Sequence, residues 1–281
     1  MTNTENVSSN TVPSSIAQVG TIMKYTFLDY FRSRRFLILL AITLLISALL
    51  TVLVGYYRPV SFTTDSLGFY SSWWGNSTNF VVVLSAIFFG GDAISSEFQN
   101  KTGYFGIPNP IRRSSIYVGK FLSAFIASTI ILGIFAAITV GNGLFYFGFD
   151  VPFQFGESLL FAWFYLVAVL GFTFFFSSLF KSSAMSILVT AILFLFVFNL
   201  IQTLVAALVQ IEPWFILSYG ALIIGNVLVA PYPAHISTTG VGQFSFTTYN
   251  ATIPEGLAII GLYFVITAIL GLLLFERKEF T

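Results

Sequence analysis

The run FLILLAITLLISALLTVLVGYY, residues 36–57, contains no charged side chain and is flanked by Arg34-Arg35 on one side and Arg58 on the other. The hydrocarbon core of a bilayer is about 30 Å thick, and a helix needs about 20 apolar residues to cross it. This run is long enough to cross, and its flanking arginines would lie at the two membrane surfaces. The sequence therefore predicts a transmembrane helix here.

Five further apolar runs have the length of a span. They cover residues 80–98, 116–147, 158–180, 183–211 and 256–275. A seventh run, 214–230, lies between prolines and is at the lower limit for crossing, so we expect it to form a short re-entrant or outer helical segment. The prediction is an all-α membrane protein with six transmembrane helices, and with this segment between spans five and six.

The composition of the whole chain agrees with this fold class. Of 281 residues, 57% are hydrophobic and only 8% are charged, and the mean hydropathy is +0.90. A soluble domain carries about 25% charged residues, so a soluble protein is excluded. A net charge of +1 gives no basis for binding nucleic acid, and the absence of cysteine excludes thiolate metal sites.

The cations predict the orientation of the six spans. With the N-terminus inside, all of the Lys and Arg residues except Arg58 face the cytoplasm, which is the bias that the positive-inside rule describes. We therefore expect a multi-pass plasma-membrane protein with cytoplasmic N- and C-termini. Two possible glycosylation sequons, at Asn76 and Asn250, fall in segments predicted to lie outside.

The chain divides into a short tail and one large domain. Residues 1–14 are rich in Ser, Thr and Asn and are expected to be a disordered cytoplasmic tail. Residues 15–281 are expected to form a single transmembrane domain, with an outer segment at 212–255. Within it, apolar residues at helical spacing over 15–30 lie beside basic ones, which favours an interfacial amphipathic helix over a solvent-facing one.

Aromatic residues crowd the predicted outer loop 58–79 and its approach. They are Tyr56, Tyr57, Tyr70, Trp73 and Trp74. Tyr and Trp are enriched at membrane–water interfaces, so we expect these side chains to anchor the loop at the outer surface.

Few residues offer chemistry inside the membrane. No P-loop motif occurs, and His235, the single histidine, has no usual metal ligand near it in the sequence. Asp92 lies near the cytoplasmic end of span two, where it can reach the interface or pair with a basic residue. Asn199 and Gln202 lie in the middle of span five, where polar side chains either bond neighbouring helices or line a translocation path. We expect no cofactor, no metal and no catalysis.

The longest polar cytoplasmic stretch joins spans two and three. Its central sequence, SSEFQNKTGYFGIPNPIRRSS, contains glycine and proline breakers and several charges. Taken alone, residues 97–115 are either a docking segment for a cytoplasmic partner or a solvated connector.

At this junction the chain resembles the permease subunits of type-2 ABC transporters. That family has an acidic residue at the end of span two, a Gly-Thr pair, a Pro-x-x-Arg turn and a lysine opening span three. Glu97, Thr102, Pro110, Arg113 and Lys120 take those places. The chain departs from the pattern at Lys101, where the family usually has glycine.

The resemblance implies partners and a mechanism. Such permeases pair as homodimers or heterodimers and bind separate ATPase subunits, which hydrolyse ATP in place of the permease. In such an exporter, residues 97–115 would be the coupling segment. Its charged residues include Lys101 and Arg112. The alternatives that stay open are a stand-alone channel or secondary transporter, and a membrane anchor or assembly subunit that transports nothing.

Overall fold

The computed structural model describes residues 14–100, 112–239 and 246–278 of the chain. This part is mainly helical, and six of its helices are long and apolar enough to span a membrane, as the predicted fold class requires. The helices are α1 Ser15–Arg32, α2 Arg34–Tyr57, α3 Val60–Thr63, α4 Ser66–Gln99, α5 Arg113–Phe147, α6 Phe153–Leu179, α7 Ser183–Val209, α8 Leu217–Asn226 and α9 Ile253–Arg277. The two strands are β1 Ile236–Thr239 and β2 Phe246–Tyr249.

The six spans are α2, α4, α5, α6, α7 and α9, and their ends meet in two groups. At one end, which we call the basic end, the beginnings of α2, α5 and α7 contact the ends of α4, α6 and α9. For example, Gln99 at the end of α4 accepts a hydrogen bond from the Ser183 N–H, at 2.8 Å, where α7 begins. At the opposite end, the segment between α7 and α9 packs over the bundle.

The helix α4 begins at Ser66, well before the run 80–98 that hydropathy indicated. Three aromatic residues expected to anchor an outer loop, Tyr70, Trp73 and Trp74, are fully buried in this first part of the helix. The Trp74 ring stacks on a phenylalanine of α5 at a centroid distance of 5.5 Å, and its indole N–H donates to the Ser158 hydroxyl at 2.9 Å. These rings therefore belong to the core, because each finds an aromatic or polar partner inside the bundle.

The amphipathic helix α1 packs directly on α5. A Cβ on Gly119 would lie 2.8 Å from the Ile22 side chain, so only glycine lets the two helices approach this closely. The Ser123 hydroxyl then donates to the Met23 carbonyl at 2.8 Å. Ile16 projects away from the bundle and is exposed, as an interfacial helix requires. Of the predicted tail 1–14, residues 1–13 lie outside the described part of the chain.

The helix described between α7 and α9 is too short to cross a membrane. This helix, α8, is a pair of short turns, Leu217–Gly220 and Ile223–Asn226, buried against α6, α9 and the first part of α4. Ten residues at 1.5 Å each span about 15 Å, half of what a crossing needs. Further along, β1 and β2 form an antiparallel hairpin in which Ile236 pairs with Tyr249, an element that hydropathy did not indicate.

Candidate coupling junction and transport path

The helix α4 breaks near the basic end. A turn over residues 91–94 separates its main part from a last short helix, Ser95–Gln99. The backbone groups freed by the break are bonded by neighbouring spans: the Ser177 hydroxyl accepts from the Ile94 and Ser95 N–H groups, at 2.9 and 3.0 Å, and the Ser186 hydroxyl donates to the Gly91 carbonyl. The break is thus joined to α6 and α7, because unpaired backbone groups are costly in an apolar environment.

Glycines make this close approach possible. A Cβ on Gly90 would lie 2.2 Å from the Thr173 hydroxyl oxygen of α6, and one on Gly91 would lie 3.1 Å from the Ile187 side chain of α7. Neither position has room for a side chain. The end of α4 therefore sits in direct backbone contact with two other spans.

Glu97 and Lys120 form an ion pair across the junction between α4 and α5. The Lys120 ammonium contacts the Glu97 carboxylate and also donates to the Ala93 carbonyl at 2.8 Å. Both side chains are largely buried. The pair joins the first residue of the predicted coupling segment to the second turn of α5.

Asp92 and Arg35 form a second pair at the break. The Arg35 Nη1 atom lies 2.7 Å from Oδ1 and 2.6 Å from Oδ2 of Asp92, so the contact uses both carboxylate oxygens. Asp92 is 7% exposed and Arg35 is 47% exposed. Of the two alternatives that the sequence left open for Asp92, the structure shows the pairing with a basic residue, which comes from the first turn of α2.

Arg113 lies at the first position of α5 but binds the end of α9. Its Nη1 donates to the Glu276 and Lys278 carbonyls at 2.9 and 2.7 Å. The last carbonyls of a helix have no partner within the helix, and a cation there also meets the negative end of the helix dipole. Lys278 in turn donates to the Ser178 and Phe180 carbonyls at the end of α6, at 2.9 and 3.0 Å.

The remaining predicted coupling residues are distributed as follows. Arg112 is exposed beside Arg113, and its backbone N–H donates to Gln18 of α1 at 3.3 Å. Lys101, Thr102 and Pro110 lie outside the described residues. The structure thus brings Glu97 and Lys120 into contact, and it places Arg113 against the chain's own C-terminal helix.

The two polar residues of span five line separate cavities. Asn199, with Asn76 and Asn79 of α4, lines a cavity of about 350 Å³ between α4 and α7. Gln202 lines a cavity of about 280 Å³ beside β2, and its amide oxygen accepts from the Ser218 hydroxyl at 2.8 Å. Of the two, only Asn199 faces a cavity between spans.

The two sequon asparagines differ in setting. Asn76 lies within α4 and its amide donates to the Ser72 carbonyl at 3.2 Å. Asn250 directly follows β2, and its amide donates to the Ala234 carbonyl at 2.9 Å. Glycosylation at either residue stays a prediction.

His235 does have neighbours that can bind a metal. The carboxylates of Glu212 and Glu255 lie beside its ring, and one ligand atom from each of the three residues lies within 4.8 Å of the others. Each of the three residues is at least 20 positions from the next in the sequence. No local spacing could therefore have revealed the cluster.

Comparison with known families agrees with the resemblance at the junction. A family model described as ABC-2 family transporter protein matches residues 21–280, which is nearly the whole chain. No curated protein matches the chain. The matched region includes all six spans, the broken end of α4 and the Glu97–Lys120 pair. The chain therefore belongs to the ABC-2 transporter family, as a multi-pass membrane permease subunit that is not itself catalytic.

Proposed function

We propose that the chain is the permease subunit of an ATP-driven exporter in the plasma membrane, with both termini in the cytoplasm. It pairs with a second permease and binds separate ATPase subunits through residues 97–115. The family membership supports the permease role, and the geometry of the basic end supports the site of coupling.

The observation that carries this proposal is the double attachment of the coupling segment. Glu97 is the first residue of the segment and Lys120 lies five positions after its last residue, and their ion pair ties α4 to α5. A force applied to the segment would reach α4 and α5 at once. Through Ser177 and Ser186, it would also reach α6 and α7. Rigid-body movement of packed helices is how such a signal crosses a domain.

The cavity between α4 and α7 supports the transport role. Its lining combines the amides of Asn76, Asn79 and Asn199 with apolar side chains such as Phe80 and Phe196. This mixture suits an amphipathic cargo. Asn199 is the path residue that we propose, and the α4–α7 face is where the second permease would close the path.

The described ion pairs favour this function over a secondary transporter. Arg35–Asp92 and Lys120–Glu97 lie at the basic end, and the Glu212–His235 pair lies at the opposite end. Ion-coupled transport uses ionisable groups near the middle of the membrane. Within the described residues, no ion pair lies at that depth.

The test is ATP hydrolysis by the complex purified from native membranes through a tag on this chain. We expect a Walker-motif ATPase to co-purify with the chain and to hydrolyse ATP. We expect both the ATPase and its activity to be lost when residues 99–110 are deleted, because the coupling segment is then missing.

Two point variants separate docking from folding. Arg112→Glu reverses an exposed charge at the junction and should weaken co-purification, whereas Arg58→Glu, an exposed arginine at the end of α2, should not. A wild-type chain that purifies without an ATPase would contradict the exporter proposal and favour the anchor or the stand-alone transporter. So would a complex that survives the deletion.

A further inference from the structure

Three side chains from separate segments meet at the end of the bundle opposite the basic end. Glu212 follows α7, His235 precedes β1, and Glu255 lies in the first turn of α9. The His235 Nε2 atom lies 3.4 Å from Glu212 Oε2, and the His235 Nδ1 atom lies 4.0 Å from Glu255 Oε2. The cluster joins the ends of two spans to the segment between them.

The hydrogen bond of the histidine ring determines which nitrogen is available. Nδ1 lies 2.9 Å from the Asn250 carbonyl oxygen, which can only accept, so Nδ1 carries the proton. In the neutral ring, Nε2 then has a free lone pair directed towards Glu212. Histidines that bind metals are typically held in this way, with the second nitrogen bonded to a backbone carbonyl or a carboxylate.

Both carboxylates also accept hydrogen bonds from residues outside the cluster. The Tyr219 hydroxyl donates to Glu212 Oε1 at 2.5 Å, and the Thr252 backbone N–H donates to Glu255 Oε2 at 3.2 Å.

The distances suit a small metal ion. Two ligands at about 2.0–2.1 Å from a tetrahedral zinc lie about 3.3 Å apart, close to the 3.4 Å between His235 Nε2 and Glu212 Oε2. A ligand atom of Glu255 lies within 4.8 Å of those of the other two residues. The three side chains are 24–40% exposed, so an ion can enter and a water can take the fourth position.

The donor set indicates the class of metal. One imidazole and two carboxylates match a first-row divalent transition metal, whereas Mg²⁺ and Ca²⁺ prefer oxygen ligands alone. We propose that Glu212, His235 and Glu255 form a binding site for such an ion, with Zn²⁺ as its representative. The bound ion would fix the segment 212–252 to the end of α7 and the beginning of α9. This proposal does not depend on the proposed exporter function.

The test uses the full chain purified with a tag that contains no histidine. Because the chain has one histidine and no cysteine, nearly all strong zinc affinity should come from this site. After treatment with EDTA, titration calorimetry should show one Zn²⁺ bound per chain, and the midpoint of thermal unfolding should rise with zinc concentration. Mg²⁺ should produce neither effect.

Substitutions assign the site. His235→Gln and Glu212→Gln should each weaken zinc binding by more than about 100-fold, since even outer partners of metal ligands cost about 10- to 100-fold. Glu157→Gln, a carboxylate of α6 outside the cluster, should bind zinc as the wild type does. If zinc does not bind, or if it binds all three variants equally, the site does not exist.

A spectroscopic measurement on the wild type tests the site without variants, which can fail to fold. Co²⁺ in place of zinc should give the intense visible absorption of a four- or five-coordinate ion. The weak spectrum of a six-coordinate, water-bound ion would overturn the proposal.

Discussion

At the scale of single residues, Arg35 and Asp92 form an ion pair whose partners differ in burial. Asp92 is almost fully buried at the break in α4, whereas about half of Arg35 is exposed at the beginning of α2. Removing one partner of a buried pair leaves the other charge without compensation. The two possible deletions should therefore have unequal costs.

We predict that Arg35→Gln lowers the free energy of unfolding by about 3 kcal/mol, because Asp92 is left buried and unpaired. Asp92→Asn should cost only about 1 kcal/mol, because the longer Arg35 side chain can reach water. The midpoint of thermal unfolding of the purified chain measures both. Arg34→Gln is the control, since Arg34 is exposed one position earlier and should change the midpoint little. Equal losses for Arg34 and Arg35 would show that the pair is not needed for stability.

Single residues also show which contacts of the junction could be predicted from the sequence. The positions of Glu97 and Lys120 in a family pattern indicated the junction, and the structure brings the two side chains into contact. Arg113 fitted the same pattern, but its guanidinium binds carbonyls of α9, a helix that begins 140 positions later. Such a long-range partner carries no local signal.

At the scale of elements, glycines determine how closely helices can pack. A Cβ on Gly256 of α9 would lie 2.4 Å from the Ile223 side chain and 2.9 Å from the Gly220 carbonyl oxygen of α8. A Cβ on Gly261, one turn later in the same helix, would meet nothing within 4 Å. The two glycines provide a matched pair within one helix.

We predict that Gly256→Ala destabilises the chain by about 2 kcal/mol, because backbone and side chain must both shift to admit the methyl group. Gly261→Ala should be neutral or stabilising by up to about 1 kcal/mol, as alanine favours the helix. Thermal unfolding of the two variants, side by side, checks this. If the Gly256 variant were as stable as the Gly261 variant, the close contact described between α8 and α9 would be contradicted.

The helices could be predicted from the sequence where a long apolar run is enough to identify a span. Long apolar runs gave α2, α5, α6, α7 and α9 with ends that lie within about five residues of those observed. The beginning of α4 could not be predicted from the sequence. Aromatic residues such as Tyr70 and Trp74 are common both at membrane surfaces and in a buried core, and only their partners in the fold distinguish the two. The hairpin of β1 and β2 is short and rich in Ser and Thr, so hydropathy did not reveal it.

At the scale of the whole molecule, charge is scarce and concentrated. The basic end holds both buried ion pairs of the junction and the cations that bind the ends of α6 and α9. The opposite end holds the cluster of Glu212, His235 and Glu255.

Docking of an ATPase at the basic end, as we propose, can be tested by photo-cross-linking in living cells. A benzophenone amino acid is placed at residue 112, which is exposed beside the coupling segment, or at Phe149, which is 98% exposed between α5 and α6 at the opposite end. We predict a covalent adduct with a Walker-motif ATPase from position 112 and none from position 149. An ATPase adduct from position 149, or a purified complex that gives none from position 112, would contradict it.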